Sequence, residues 1–254
     1  MAQNFRQSEI LTIAKQEGKV VVEELVDRFG VTAQTIRRDL NELCDTGKLE
    51  RVYGGAVVAS GVSNIGYEHR RVMNAEAKDA IARLCAAAIP DDASLFIGIG
   101  TSTEALARAL RNHANLLVIT NNMNVANILI DNPSCEIVVA GGVVRRLDGG
   151  LVGDVTAEMV QRFKVDVAVI SASALDEDGD LLDFDFREVR VNQAIIQSAR
   201  STYLLSDHSK FSRTAPVRIA SLREIDVFFT DRPPPDPVRR LCERWETELR
   251  VAGG

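Results

Sequence analysis

Residues 22–41 have the sequence VEELVDRFGVTAQTIRRDLN, which contains two short helical patterns separated by a glycine. The first pattern, from Val22 to Phe29, stops at Gly30, and the second starts after Thr32, a residue type favoured at helix N-caps. Two short helices joined by a tight, glycine-containing turn are typical of a helix-turn-helix. This stretch therefore predicts a small helical domain near the N-terminus.

The second helix of the pair has an apolar side, formed by Ile36, Leu40 and Leu43, and it ends near Gly47. Because a helix turns by about 100° per residue, its start and its other side carry the candidate DNA-contacting residues Thr32, Gln34, Thr35, Arg37, Arg38 and Asn41. Arginine can bond guanine with two hydrogen bonds, and glutamine and asparagine match the adenine edge. The alternative is a solvated face, since acidic residues lie close to both arginines.

The flanking sequence completes a winged motif. An earlier helix is expected over residues 6–16, and residues 48–52 and 56–58 are strand-like runs joined by Tyr53-Gly54-Gly55, a hairpin turn signal. We expect this hairpin to be the wing. Its candidate contacts to DNA phosphates are Lys48, Arg51 and Tyr53.

The composition changes over residues 59–74, which we interpret as a linker. On this interpretation residues 1–58 form the DNA-binding domain, and residues 75–254 form a second, larger domain. Apolar runs of strand length alternate with helical patterns in the second domain, which predicts an α/β fold with an open, mainly parallel sheet. A final helix is expected over residues 236–249.

Several apolar runs of the second domain end in small or polar residues: 95–97, 117–119, 137–140, 167–170, 203–205 and 227–229. In an open parallel sheet the carboxyl ends of the strands meet along one edge, where ligands bind. The small and polar residues that follow these runs are therefore expected to line one crevice.

The cluster at 98–103, Gly-Ile-Gly-Thr-Ser-Thr, leads into a helix expected to begin near Glu104. Free N–H groups at a helix N-terminus attract phosphate. Lys210, at another strand end, is a suitable counter-charge. The alternatives are small residues selected for packing and a solvated lysine.

The segments 23–32, 34–41 and Gly54-Gly55 resemble the DeoR family of winged helix-turn-helix regulators. The resemblance extends over nearly the whole chain through further segments: 120–127, 140–142 with Arg145, 181–190, 207–211 and 230–231. It implies a winged helix-turn-helix followed by a sugar-phosphate isomerase-like sensor domain. It also implies a repressor of a carbon-catabolism operon that binds double-stranded operator DNA as a homo-oligomer, with a tetramer as the expected state.

The resemblance further implies a phosphorylated small-molecule inducer, with glycerol 3-phosphate as first choice. The expected effector-binding residues are Gly100, Thr101, Ser102, Thr103, Asn121, Asn122, Gly141, Gly142, Arg145, Asp183, Asp185 and Lys210. Two positions depart from the family pattern. Gly98 stands where an acid is common, and Asn192-Gln193 stands where a base is usual.

Composition narrows the function classes. The chain of 254 residues has a net charge of −6, so DNA binding must come from a local patch rather than from the overall field. No signal peptide is evident and no apolar run approaches the roughly 20 residues needed to cross a bilayer, so we expect a cytoplasmic protein. No metal or other cofactor is expected, because the candidate ligands are too dispersed: Cys44, Cys85, Cys135, Cys242, His69, His113 and His208.

An enzyme is the main alternative, because the loop from Gly98 to Thr101 also resembles the phosphate loop of sugar-phosphate isomerases. Catalysis would need a placed acid-base pair, and Asp183 with Asp185 would share a face of an extended segment. However, the isomerase pattern of an acidic cluster followed by a lysine in a glycine-rich stretch is absent. A purely structural DNA-associated protein would leave the polar crevice unexplained, so we expect a regulator without catalytic residues.

Overall fold

The computed structural model describes residues 2–17, 19–52, 54–58 and 64–253. The chain divides into two compact units, Met1–Ile65 and Gly66–Gly254. Residues 59–63, in the first part of the predicted linker, lie outside the described residues. The later part of the predicted linker contains a helix. Within the described ranges, no helix is both long enough and apolar enough to cross a membrane.

The first unit is a three-helix fold with a small sheet. Its helices are α1 (Ala2–Glu17), α2 (Val22–Phe29) and α3 (Ala33–Asp45), and its strands are β1 (Lys19–Val21), β2 (Leu49–Val52) and β3 (Gly55–Val58). All three predicted helices and the predicted hairpin are present. The apolar side of α3 is buried against the other two helices and the sheet, as its periodicity predicts.

The strand β1 was not predicted. It pairs antiparallel with β3, which gives the order β1-β3-β2. Three residues are too few for a strand periodicity to be recognised. The pairing explains Gly55, because a Cβ at this position would lie 1.9 Å from the carbonyl oxygen of Val20.

The second unit is built on seven parallel strands, in the order β15-β14-β12-β9-β4-β5-β6. In chain order these strands are β4 (Ser94–Ile97), β5 (Leu116–Thr120), β6 (Cys135–Val139), β9 (Val165–Ser171), β12 (Ala199–Leu205), β14 (Val227–Thr230) and β15 (Glu248–Val251). All six predicted strands are present. The chain runs outward from β4 through β6 and returns to the other side of β4 at β9. The strands β4 and β9 therefore flank a topological switch point, where ligands bind in open α/β sheets.

Helices cover both faces of this sheet. They are α4 (Tyr67–Val72), α5 (Ala75–Ala86), α6 (Thr101–Ala109), α7 (Met123–Leu129), α8 (Asp154–Val160), α9 (Phe186–Gln197) and α10 (Asp236–Trp245). One apolar core contains buried residues of α5, α6 and α7, and the other contains those of α8, α9 and α10. Smaller strands complete the unit as a hairpin and a three-stranded antiparallel sheet: β7 (Val143–Arg145) with β8 (Gly150–Val152), and β10 (Ala174–Leu175), β11 (Asp180–Asp183) and β13 (Val217–Ser221).

Two predicted helix bounds were wrong. The last helix ends at Trp245, where Glu246 has a positive φ of 60°, and the residues that follow form the edge strand β15. The helix expected near Glu104 begins three residues earlier, at Thr101. The Thr103 hydroxyl donates hydrogen bonds to the carbonyls of Gly98 (2.8 Å) and Gly100 (2.7 Å), which closes the first turn of α6.

Candidate functional site

The outer face of α3 is the candidate DNA-reading surface. The Thr32 hydroxyl accepts a hydrogen bond from the backbone N–H of Thr35 (3.3 Å), so the helix begins at the predicted cap. The predicted outward side chains are exposed: Gln34, Arg37, Arg38 and Asn41. Thr35 is half-buried. The sequence interpretation of this face therefore agrees with its geometry.

One of the acidic residues near the arginines does not belong to the solvated face. Asp39 is buried and forms an ion pair with Arg6 of α1. Arg38 contacts Glu42 (Nε to Oε1, 3.2 Å), but this pair is exposed, and such pairs contribute little stability. Arg38 can therefore exchange Glu42 for a base edge at small cost.

The residues of the wing that were predicted to contact DNA phosphates differ in their exposure. Lys48 is exposed and Arg51 is half-buried. Tyr53 lies outside the described residues. The turn between β2 and β3 contains Gly54 with a positive φ of 76°, as expected for a two-residue hairpin loop.

In the second unit, four cationic side chains lie close together near the start of α6. The charges of Lys78, Lys210 and Arg213 each act on the buried carboxylate of Asp207, and the charge of Arg70 acts on all three cations. Burial and the neighbouring cations lower the pKa of Lys210 to about 7. Burial also lowers the pKa of Lys78 to about 8. This arrangement is costly for the free protein unless an anion binds there.

The cationic cluster is directly linked to the start of α6. The Thr101 hydroxyl donates a hydrogen bond to the carbonyl of Arg70 (3.4 Å), and the Lys78 ammonium donates to the same carbonyl. Three buried polar atoms of residues close to Lys210 in the sequence have no hydrogen-bond partner within the described part of the chain: Ser206 Oγ, Ser209 Oγ and Arg213 Nε. Excess positive charge beside a helix N-terminus is the arrangement that binds phosphate.

A second cluster places one arginine among carboxylates. The Arg145 guanidinium bonds Asp148 (2.9 and 2.7 Å), Asp185 (3.1 Å) and Glu188 (2.6 Å). Burial and the charge of Asp183 raise the pKa of Glu188 to about 8, despite the opposing charge of Arg145. Burial thus favours the protonated acid of Glu188, while its ion pair with Arg145 favours the carboxylate.

A buried polar network lies at the carboxyl end of the sheet as well. The carboxylate of Glu104 is buried and accepts hydrogen bonds from Tyr67 Oη (3.1 Å) and from Asn124 Nδ2 (3.0 Å). Asn122 Nδ2 lies 3.5 Å from the same carboxylate. Burial and the Glu104 charge raise the pKa of Tyr67 to about 12, so its hydroxyl remains a donor.

Most, but not all, of the predicted effector residues belong to these clusters. The start of α6 (Gly100 to Thr103) and Lys210 lie with the cations, and Arg145, Asp183 and Asp185 lie with the carboxylates. Two predicted residues have contacts that do not need a ligand, because Gly141 and Gly142 lie in an exposed segment that closes on Thr156. Asn121 Nδ2 donates to the carbonyl of Leu151 (3.1 Å), whereas its buried Oδ1 has no hydrogen-bond partner within the described residues.

The sequence interpretation missed Lys78, Arg70, Arg213 and Glu188. For two of them a signal was available. Lys78 shares the helical spacing of the buried residues that follow it: Ile81, Ala82 and Cys85. Glu188 has the same relation to Val191, Asn192 and Ile195. A charged residue on the buried stripe of a helix is unusual and indicates a partner or a ligand.

The two departures from the family pattern lie next to each other. A Cβ at Gly98 would be 3.6 Å from Asn192 Oδ1 and 3.5 Å from the carbonyl oxygen of Val169. Asn192 is buried, and its Nδ2 has no hydrogen-bond partner within the described residues. Where other members are expected to carry an acid and a base, this chain has a small residue against a neutral amide.

Comparisons with known proteins agree with this architecture. The DeoR-like helix-turn-helix domain matches residues 6–62, and the DeoR C terminal sensor domain matches residues 73–232. The glycerol-3-phosphate regulon repressor of Escherichia coli is 44% identical over 99% of this chain and 100% of its own length. The repressor of the same name from Haemophilus influenzae is 42% identical over 100% of this chain and 99% of its own length. A solved D-ribose-5-phosphate isomerase in complex with phospho-erythronic acid aligns at a TM-score of 0.40 and 18% identity, over 54% of each chain.

The predicted fold class is confirmed, with a helix-turn-helix unit followed by a mainly parallel α/β sensor unit. Two family domains together cover most of the chain, and full-length relatives exceed 40% identity. The chain belongs to the DeoR family of helix-turn-helix transcriptional regulators.

Proposed function

We propose that this regulator represses a carbon-catabolism operon and is released from its operator by a phosphorylated small metabolite, with glycerol 3-phosphate as first choice. The observation that carries the effector class is the cationic cluster of Arg70, Lys78, Lys210 and Arg213 beside the start of α6. The names of the two full-length relatives support this choice of metabolite. The assignment of every effector residue is part of the proposal.

In this proposal the phosphate dianion binds between Lys210 and Lys78 and accepts hydrogen bonds from the backbone N–H groups at Thr101 to Thr103. The helix dipole and the two ammonium groups then act on the same charge. The effector hydroxyls bind on the side of Asp183 and Glu188, whose carboxyl oxygens accept hydrogen bonds.

Release of DNA follows from linkage between the two ligands. An effector can shift a conformational equilibrium only through its different affinities for the two states. The effector must therefore bind more tightly to the state whose DNA-reading surfaces no longer fit the operator. Operator DNA then weakens effector binding by the same factor.

We also propose that the operator is bound by a homo-oligomer, a tetramer by the family resemblance. One α3 offers few base contacts, and specific affinities in the nanomolar range usually need paired half-sites. The full chain should accordingly bind an operator with two half-sites at least about a hundredfold more tightly than a single half-site. This factor is smaller than the usual ratio of specific to non-specific affinity. Sedimentation of the complex gives the number of copies. Equal affinity for both DNAs would contradict this assembly.

The function is tested by titrating the complex of full-length protein and operator with glycerol 3-phosphate, with glycerol and with other phosphorylated metabolites. DNA release by one phosphorylated compound, and none by glycerol, is the expected result. Turnover of a sugar phosphate by the same preparation would contradict the proposal and favour the isomerase-like alternative.

Arg38→Ala should weaken specific operator binding by about 1 to 3 kcal/mol and relax base preference at one position, because it removes a direct base contact. Binding to a series of operators, each with one substituted base pair, measures both effects. Lys48→Ala is the matched control on the exposed wing, and it should weaken all sequences alike. Full operator discrimination in the Arg38 variant would remove this residue from the reading surface.

A further inference from the structure

The segment 67–74, which we call the strap, lies across the effector crevice. It comprises α4 and the two residues after it, and it is the first element that follows the helix-turn-helix unit along the chain. Tyr67 of the strap donates to Glu104 (3.1 Å) and accepts from Asn124 Nδ2 (3.0 Å). Arg70 Nη2 lies 3.4 Å from Asp148 Oδ2. The side chains of α4 therefore contact α6, α7 and the loop between β7 and β8.

The strap is held by two residues of the cationic cluster, Lys78 and Arg213, and by the buried carboxylate of Asp207. Lys78 Nζ donates to the carbonyls of Arg70 and Met73, the second at 2.6 Å. At the end of the strap, Asn74 Nδ2 donates to Asp207 Oδ1 (2.9 Å), and Arg213 Nη2 contacts Met73 Sδ (2.8 Å). An anion that recruits Lys78 or repels Asp207 must disturb these contacts.

Arg70 is the strap cation whose charge acts on the cationic cluster, and its carboxylate partner has other donors. Its carboxylate partner Asp148 already accepts two shorter hydrogen bonds from Arg145 (2.9 and 2.7 Å) and one from the backbone N–H of Gly150 (3.3 Å). Asp148 thus stays paired when Arg70 leaves. The destination is close, because the charge of Arg70 already acts on Lys78, Lys210 and Arg213.

We propose that the strap is the element that responds to the effector: Arg70 exchanges Asp148 for the phosphate, and Tyr67 positions α4 against Glu104 until that exchange occurs. Movement of the strap then reaches the DNA-binding unit through the chain itself. Arg70 is an effector ligand in this scheme, and Tyr67 is a positioning residue. The inference rests on the proposed function for the class of its ligand, a phosphorylated small molecule.

The test uses full-length wild type, Arg70→Ala, Arg70→Lys and Tyr67→Phe. Arg71→Ala is the control, since Arg71 is the next residue of α4. Within the described chain, its one ion pair is an exposed pair with Glu68. Calorimetry gives the affinity for glycerol 3-phosphate without DNA. Operator affinity with and without saturating effector gives the coupling factor, and amide hydrogen exchange follows residues 67–74.

Arg70→Ala should lower effector affinity about tenfold or more, with Arg70→Lys in between, because a charge-assisted contact is lost. Tyr67→Phe should leave effector affinity within about twofold of the wild-type value. It should change the coupling factor by about threefold or more, which is a substantial part of the usual range of allosteric coupling factors. Effector should change hydrogen exchange in 67–74 of the wild type. Arg71→Ala should match the wild type throughout.

Unchanged coupling in Tyr67→Phe together with unchanged exchange in 67–74 at saturating effector would overturn the role of the strap. Inorganic phosphate is run in parallel to separate this failure from failure of the proposed function. If phosphate binds and changes exchange in 67–74 but glycerol 3-phosphate does neither, the strap role stands and the proposed effector is wrong. If neither compound changes exchange in 67–74, the strap role is wrong even where DNA release is observed.

Discussion

Lys210→Ala should raise the glycerol 3-phosphate concentration needed for half-release of the operator about thirtyfold or more. Truncating one partner of a buried, hydrogen-bonded charge pair typically costs about 2 to 5 kcal/mol, and about 1.4 kcal/mol corresponds to tenfold. Operator affinity without effector should stay nearly unchanged. In the free protein Lys210 is buried, repelled by Arg213 and attracted by Asp207, so its removal ends a repulsion and an attraction that offset each other in part. Lys78 and Arg213 still act on Asp207 in this variant.

The pH dependence gives a second readout for Lys210. Its pKa of about 7 should rise when a dianion binds, so effector affinity of the wild type should fall as the pH rises above 7. The phosphate itself stays a dianion in this range, because its second pKa is about 6. The Lys210 variant should show a flatter profile, with the remaining slope due to Lys78.

Lys164→Ala is the matched control, because Lys164 is exposed at the opposite edge of the sheet. Its ammonium donates to two backbone carbonyls within the described chain, those of Gln197 (3.3 Å) and Ala199 (3.0 Å). It should respond to effector like the wild type. An unchanged response of Lys210→Ala, or equal potency of glycerol and glycerol 3-phosphate, would refute the phosphate site and leave the DNA-binding assignment intact.

Arg145→Met should destabilise the sensor unit by about 3 to 5 kcal/mol, the cost of breaking a buried ion pair by removing one partner. Three carboxylates, those of Asp148, Asp185 and Glu188, lose their common cation, and methionine keeps most of the side-chain length. Urea unfolding followed by tryptophan fluorescence measures the change. The single tryptophan of the chain, Trp245, lies in α10 and reports on this unit.

The direction in which the stability of the sensor unit changes with pH is set by Glu188. Its pKa in the folded protein is raised from the ordinary 4.5 to about 8, so its contribution to stability is lost as the pH rises from about 4.5 through 8. Without Arg145 the carboxylates repel more strongly, so the destabilisation should be larger at pH 8 than at pH 5. Arg187→Met, which removes an exposed partner of the same Asp185, should have little effect. Equal losses in the two variants would contradict the central role of Arg145.

Periodicity and strand-end rules were sufficient for much of the fold. The spacing of Ile36, Leu40 and Leu43 identified the buried side of α3, and six apolar runs identified six of the seven strands. The strands β1 and β15 were missed for a physical reason. Each is a short edge strand, and β15 follows a helix whose end depends on the positive φ of Glu246. Tertiary pairing, rather than local preference, makes these residues strands.

The candidate effector crevice could be predicted only in part for a similar reason. Lys210 follows a strand, so the sheet rule placed it at the ligand edge. Lys78 and Arg70 lie on helices that precede the whole sheet in the chain, and no strand-end rule assigns them to that edge. Tertiary packing alone brings them close to Lys210 and Arg213. The exposed side of α3 was easier to predict, because its residues lie on consecutive turns of a single helix.

The contact between Gly98 and Asn192 has an evolutionary consequence. An acid introduced at Gly98 would meet an amide and the carbonyl oxygen of Val169, which leaves a buried charge without a cation. A base introduced at Asn192 would instead stand one helical turn from the buried Glu188. The order of substitution therefore matters: a mutant library that varies one position at a time should record an acid at Gly98 as less tolerated than a base at Asn192.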